Sequence, residues 1–221
     1  MIASSAMREI PCWRCIGNGI AAAMLFVLFM TELPAYGLIQ KQSDEASAKI
    51  SKAAAASCDA KVKRMETHAG DQSRGRKLET RISETELNSY LAICLSPNYH
   101  PCLRSILLKL DEGRLQAVAS IDFDRLQLSS TKLINGLLKA MLTGVHKLTI
   151  RGGLISNTST ACFRLDGAQF DSITLPNILV SEIISAVGSK QNPPFDPMQP
   201  SALPYLIQKV DVHLGYILIE Q

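Results

Sequence analysis

The chain has 221 residues, 47% of them hydrophobic and 19% charged, with a formal net charge of +3. The basic excess is local: residues 41–81 carry ten Lys/Arg against six Asp/Glu, whereas residues 82–221 carry eleven against twelve. A nucleic-acid-binding domain would spread a basic face across its folded part, so no nucleic-acid partner is expected.

Residues 1–37 read as an export signal. Arg8 and Arg14 precede the apolar run Gly19–Met30, and Pro34, Ala35 and Gly37 follow it. Basic, then apolar, then small is the order of a secretory signal peptide, with Ala35 and Gly37 at the −3 and −1 positions of a cleavage site. The run of 12 residues is shorter than the roughly 20 that a relaxed helix needs to cross a bilayer. An uncleaved signal anchor is the alternative. The expectation is an exported chain, periplasmic or extracellular, cut near Gly37–Leu38 or held by this segment.

Residues 38–81 read as a basic, partly helical linker. Ala46, Ile50, Ala54, Cys58, Val62 and Met65 recur at spacings of three and four, a thin stripe for a marginal helix. His68 to Lys77 holds two Gly and almost nothing apolar, which predicts a flexible break. Basic residues beside a membrane-proximal N-terminus favour anionic head groups, so residues 61–81 are a place for membrane-surface contact. A solvated linker is the plainer reading.

The folded domain is expected over residues 82–221, its first residues near Leu78. Ser83-Glu-Thr-Glu86 is a capping box, in which the hydroxyl accepts from the third helical amide and the carboxylate reaches back. Leu87, Leu91 and Leu95 give that helix its face, and Pro97 and Pro101 end it. Ile106, Leu108 and Leu110, a turn at Asp111-Glu-Gly113, then Leu115, Ala117, Ala119, Ile121 and Phe123 predict an antiparallel hairpin with one dry face.

A second helix is predicted over 130–143, with Leu133, Ile134, Leu137, Leu138, Met141 and Leu142 on one side and Gly144 as its cap. Strands come next over 146–155, 160–165 and 168–173, with Gly152-Gly153 as a bulge and Asp166-Gly167 as a hairpin turn. Pro176 can open a third helix running to Val187, facing inward through Ile178, Leu179, Ile183, Ile184 and Val187, with Gly188 as its stop. Residues 191–204 hold five Pro and predict an extended surface loop. A hairpin around Leu214-Gly215 closes the chain. The order αββαβββαββ implies an α+β domain with a curved, mostly antiparallel sheet packed against two or three helices.

Sites of chemistry are few. Cys12-x-x-Cys15 and Gly17-x-Gly19-x-x-Ala22 lie in the signal, without the strand and helix their chemistry needs. Four cysteines remain beyond it: Cys58, Cys94, Cys102 and Cys162. Cys94 and Cys102 flank a short loop and are the disulfide candidate, with free buried thiols equally open. Cys94, His100 and Cys102 lack a fourth ligand for structural zinc, so no metal is expected. Asp122 and Asp124 share a strand face that should point to water. His68, His100, His146 and His213 keep no spacing with a nucleophile, and no hydrolase, metalloprotease or phosphate-loop signature occurs in residues 38–221. No catalytic residue and no cofactor is expected. Aliphatic walls suit acyl chains, although such faces can equally pack on one another.

Ile82–Leu91 (ISETELNSYL), Ala119–Asp124 (ASIDFD), Phe170–Pro176 (FDSITLP) and Leu203–Gln221 carry a likeness. Together they resemble uncharacterised exported bacterial proteins similar in layout to tubular lipid-binding (TULIP-like) domains and LmeA-type envelope phospholipid-binding proteins. The resemblance covers roughly residues 80–221 and is one of pattern. It implies a curved antiparallel sheet wrapped around a helix with a lipid groove between them, and no catalytic residues. The basic linker and the four cysteines depart from that pattern. The resulting expectation is a non-enzymatic cell-envelope protein holding a lipid or apolar small molecule. The wall would come from Leu133, Leu137, Leu138 and Met141 on one helix and from Ile178, Leu179 and Ile183 on the other. An envelope protein–protein interaction module with a filled core is the alternative.

Overall fold

In this computed structural model, residues 50–71, 77–126 and 143–221 are described. The expectations for the export signal and for the helix over 130–143, apart from Thr143, lie outside the described residues. Within them the architecture is α+β, with antiparallel pairing throughout. Five strands form a meander in chain order: β2 (Leu103–Asp111), β3 (Arg114–Asp122), β4 (Val145–Asn157), β5 (Thr160–Phe170) and β6 (Ile173–Leu175). The two-residue strand β7 (Ser201–Ala202) joins β5 on its far half. A second sheet has the order β1 (Glu79–Ser83), β9 (Tyr216–Glu220), β8 (Lys209–His213). The helices are α1 (Lys52–Gly70), α2 (Glu84–Tyr90), the single turn α3 (Phe123–Leu126) and α4 (Asn177–Ser189). No described helix is long and apolar enough to cross a membrane.

The capping box forms as its residues dictate. Ser83 Oγ accepts from the Glu86 amide while Glu86 Oε2 takes the Ser83 amide at 2.8 Å. A π-helical turn (Leu91–Leu95) and a short 3-10 turn carry the chain on to Asn98. The buried Asn88 side chain then takes the role of a strand residue. Its Nδ2 donates to the Leu108 carbonyl and its Oδ1 accepts the Leu108 amide, both at 2.7 Å. Glu84 takes the Leu110 amide at 2.7 Å. The outer edge of β2 is thus closed by α2, which removes a template for edge-to-edge pairing.

Within residues 38–81, read as a partly helical linker, the described residues form α1 and β1, and both pack on the domain. Ser51 caps α1, and the helix runs on to Gly70, past the break expected from His68. Cys58 and Met65 belong to the central apolar core. A thin stripe sufficed because polar bonds supplement it: Lys61 Nζ lies 2.7 Å from Glu86 and also donates to the Arg81 carbonyl. Strand β1 pairs along β9, setting Ile82 opposite Ile217 and Thr80 opposite Ile219. Gln221 joins the three, its backbone bonded to Leu78 and its Nε2 to the Met65 and Tyr205 carbonyls. The closing hairpin therefore builds a separate sheet instead of extending the meander.

The glycine pair sits at an irregular register, but the extra residue is on the partner strand. Arg151 pairs with Gly167 and Gly152 with Leu165, so Asp166 is the bulge and β5 continues through it. The hairpin turn expected at Asp166-Gly167 is replaced by two turns outside it. Thr158 and Ser159 take positive φ between β4 and β5, and Asp171 does so between β5 and β6. Bulges of this kind bend a strand and raise its local twist. A Cβ on Gly152 would lie 1.9 Å from the Arg164 carbonyl and 2.2 Å from the Phe163 ring. On Gly153 it would meet only the flexible Arg164 guanidinium, at 3.4 Å.

This packing sets the two glycines apart. Gly152→Ala should cost about 1–3 kcal/mol through overpacking, while Gly153→Ala stays close to wild type, as read from urea midpoints. Glu86 supplies a second prediction. Burial pushes its carboxyl up, but the bonds from Lys61, Ser57 and Ser83 outweigh that and bring it down to about 2. A depressed carboxylate stabilises the fold above its ordinary pKa of 4.5 and ceases to as pH falls through about 2. Acid titration of stability should therefore show about 2–3 kcal/mol lost across that window, and Glu86→Gln should flatten the loss.

Candidate functional site

Helix α4 is the aliphatic element of the domain. Pro176 stands at its N-cap in extended backbone (φ −60°, ψ 135°), which presets the first turn. Leu179, Val180, Ile183, Ile184 and Val187 are buried in the core, with Ile183 at 0% exposure. Ile178 corrects the inward face expected for this helix: it is 68% exposed. At 3.6 residues per turn, Ile178 lies about 140° around the axis from Ile183, so the two cannot share a face. Val180 takes the inward place instead. Leu133, Leu137, Leu138 and Met141 lie outside the described residues.

The Pro-rich stretch after α4 is not the extended surface loop expected. Gly188 is buried in the last turn, where a Cβ would come within 2.3 Å of the Phe195 carbonyl oxygen. The Phe195 amide donates to the Gly188 carbonyl, and Ser185 Oγ donates to Asp196. Phe195, Met198, Leu203 and Tyr205 pack against the core. The apolar surface reaches solvent at the other end of the helix. There Ile178 stands close in sequence to the half-buried Leu175, and Ile173 on the edge strand β6 is 53% exposed.

At one end of the meander the charged side chains gather. His146, on β4, has Nδ1 2.8 Å from Asp171 Oδ2 and Nε2 2.6 Å from the Thr143 carbonyl. Its ring packs near Phe170 (centroids 4.5 Å apart) and Phe123 (5.9 Å). Asp122 was expected to point to water; instead it is 6% exposed. Arg104 donates to its Oδ2 at 2.6 Å and Arg125 approaches at 3.3 Å, because the strand ends there and α3 folds across it. The Arg104 bond holds the Asp122 carboxyl below the ordinary carboxylate value. Asp124 is exposed, so the two carboxylates do not form a pair.

Cys94 and Cys102 are free thiols, as are Cys58 and Cys162, which is the second of the two readings left open for that pair. Cys102 is fully buried beside β2, while Cys94 sits part-exposed on the π-helical turn. Burial pushes the Cys58 thiol up to about 12, with Glu86 adding to the effect. Among the described residues, no group of three His, Cys, Asp or Glu could hold a metal ion. In the basic segment, Lys61 and Lys63 are committed to Glu86 and Asp59, and Arg64, Lys77 and Arg81 are exposed.

No family profile matches this chain, and comparison with functionally described proteins and with solved structures finds no match either. The likeness to tubular lipid-binding domains rests on the sequence pattern alone.

The inward and outward sides of α4 should answer differently to truncation. Ile183→Ala should lower unfolding free energy by about 2–5 kcal/mol. Ile178→Ala, on the solvent side, should stay within about 0.5 kcal/mol of wild type in the same denaturant titration.

Proposed function

We propose that the chain is an exported, non-enzymatic protein of the cell envelope that holds a lipid or similar apolar ligand where the α4 stripe meets the sheet. One observation carries the reading. Around the start of α4 the aliphatic side chains change from buried (Leu179, Ile183) through half-buried (Leu175) to exposed (Ile173, Ile178). Exposed apolar surface beside a helix end marks a place of interaction. Aliphatic side chains offer an acyl chain contact without asking for hydrogen bonds. The order of residues 1–37 supports export to the periplasm or beyond, with cleavage or retention as an anchor. Arg64, Lys77 and Arg81 support contact with an anionic membrane surface.

A second reading, a protein-interaction module, has its own observation. Leu179 and Ile183 are buried, at 7% and 0% exposure, and among the described residues β6 pairs on one side only. In that reading the partner meets the sheet edge, since α1 is docked on the domain and cannot serve as a loose tether.

Organic-solvent extraction of the purified full chain, followed by mass spectrometry, separates the two. The proposal expects a lipid recovered near one per chain and lost when Ile173 and Ile178 are both changed to Asp. Recovery of none from several expression hosts sinks the lipid reading and leaves the filled-core module.

A further inference from the structure

The protonation state of His146 can be read from its neighbours. Both ring nitrogens face groups that only accept: Asp171 Oδ2 at 2.8 Å and the Thr143 carbonyl at 2.6 Å. A neutral imidazole has one N–H and one lone pair. It would set a lone pair against one of those oxygens. Only the imidazolium donates to both.

The surroundings favour the cation too. The Phe170 ring lies 4.5 Å from the imidazole centroid at an interplanar angle of 30°, within the distance at which an aromatic face attracts a cation. Asp171 faces it from the β5–β6 turn and Asp124 from α3, while the neighbouring Asp122 is taken up by Arg104 and Arg125. The nearby cation in sequence is Lys147, whose amide donates to Asp171 Oδ1 at 2.9 Å. Burial pulls the His146 value down, but the Asp171 and Thr143 bonds outweigh it and raise it above the ordinary histidine value.

We propose that His146 is a protonation-operated clasp: as imidazolium it ties the entry into β4 to the β5–β6 turn, and on losing its proton to water it releases that tie. The ties it reinforces are local and specific. The Asp171 amide donates to the Lys147 carbonyl at 2.7 Å, and the Phe123 amide donates to the Gly144 carbonyl at 2.8 Å. Release leaves one N–H for two acceptors, so the imidazole keeps at most one of its two bonds and the start of β4 is held less tightly to the β5–β6 turn. Because the folded value is raised, the clasp is fully engaged below about pH 6.5 and opens as pH climbs through the folded midpoint. Val145 and Ile173, both more than half exposed, flank it, so opening adds the Phe123–Phe170 pair to an apolar surface.

The test uses the full chain. An NMR titration of the His146 Cε1 proton, assigned with His146→Gln, should give a midpoint above the ordinary histidine value. Asp171→Asn should lower that midpoint. Hydrogen exchange at the Lys147 and Asp171 amides, corrected for intrinsic rates, should lose roughly tenfold in protection for each unit by which the midpoint is raised. Amides of β2 and β3 should keep theirs over the same range. The exchange measurement needs no variant. A midpoint at or below the ordinary value, or unchanged protection of Lys147 and Asp171 from pH 5 to pH 9, overturns the proposal.

Discussion

The fold hangs on a side chain that behaves as backbone. Strand β2 begins the meander and would present a row of unpaired amides and carbonyls along its outer side. Asn88 meets Leu108 there with a donor and an acceptor, both at 2.7 Å and both away from water. An amide bond in such a place is strong because no solvent competes, and costly to lose because both partners would be orphaned. Fixing Asn88 fixes α2, and α2 in turn anchors its neighbours on both sides. Its Glu84 takes Leu110, its Glu86 holds Ser83 and Lys61, and Ser89 accepts the amide of Ser51 at the start of α1. One short helix thereby joins the sheet edge to the long N-terminal helix.

That arrangement explains which parts of the fold were legible in the sequence. The capping box, the β2–β3 hairpin and helix α4 each obey rules spanning fewer than a dozen residues, and each forms where its pattern stands. Strand β1 and the docking of helix α1 on the core were hidden because their stability is not local. Cys58 and Met65 find the core, and Glu79–Ser83 finds β9, only after the other end of the chain has arrived. Asp166-Gly167 has the composition of a turn, yet Gly152 opposite it lets Arg164 and Phe163 come close, and the strand runs through. Asp122 alternates correctly for a wet face; its burial comes from Arg104 and the α3 turn, neither visible in a period-two pattern. Of the inward face expected for α4, Leu179 and Ile183 were readable from helical spacing, and the placing of Ile178 on that face was an error of phase within the same helix.

The disposition of polar groups bears on the absence of enzyme chemistry from the proposed function. A general base needs a free lone pair within reach of a substrate proton. His146 has both nitrogens against acceptor oxygens, Asp171 Oδ2 and the Thr143 carbonyl. His100 Nδ1 accepts the Cys102 amide, and His213 is stacked on Tyr216 and bonded to Glu112. Tyr216 in turn carries Arg81 over its ring, 3.6 Å from the centroid. In each case the imidazole contributes to holding turns and hairpins together.

Export and unpaired cysteines are compatible on physical grounds. Oxidation of a thiol proceeds through the thiolate, so its rate follows thiolate population and access. Cys58 has neither: it is fully buried, and burial pushes its value up to about 12. Cys102 is equally buried, and burial also raises it. Both thiols act as small apolar side chains in a core that surrounds them with Leu, Ile and Met. An oxidising compartment permits a disulfide but does not demand one where the packed interior already supplies the stability. Cys94 differs, since the π-helical turn leaves it part-exposed while burial among its neighbours still raises its value. It therefore reacts first among these three if any does, and the fold has no need of that reaction.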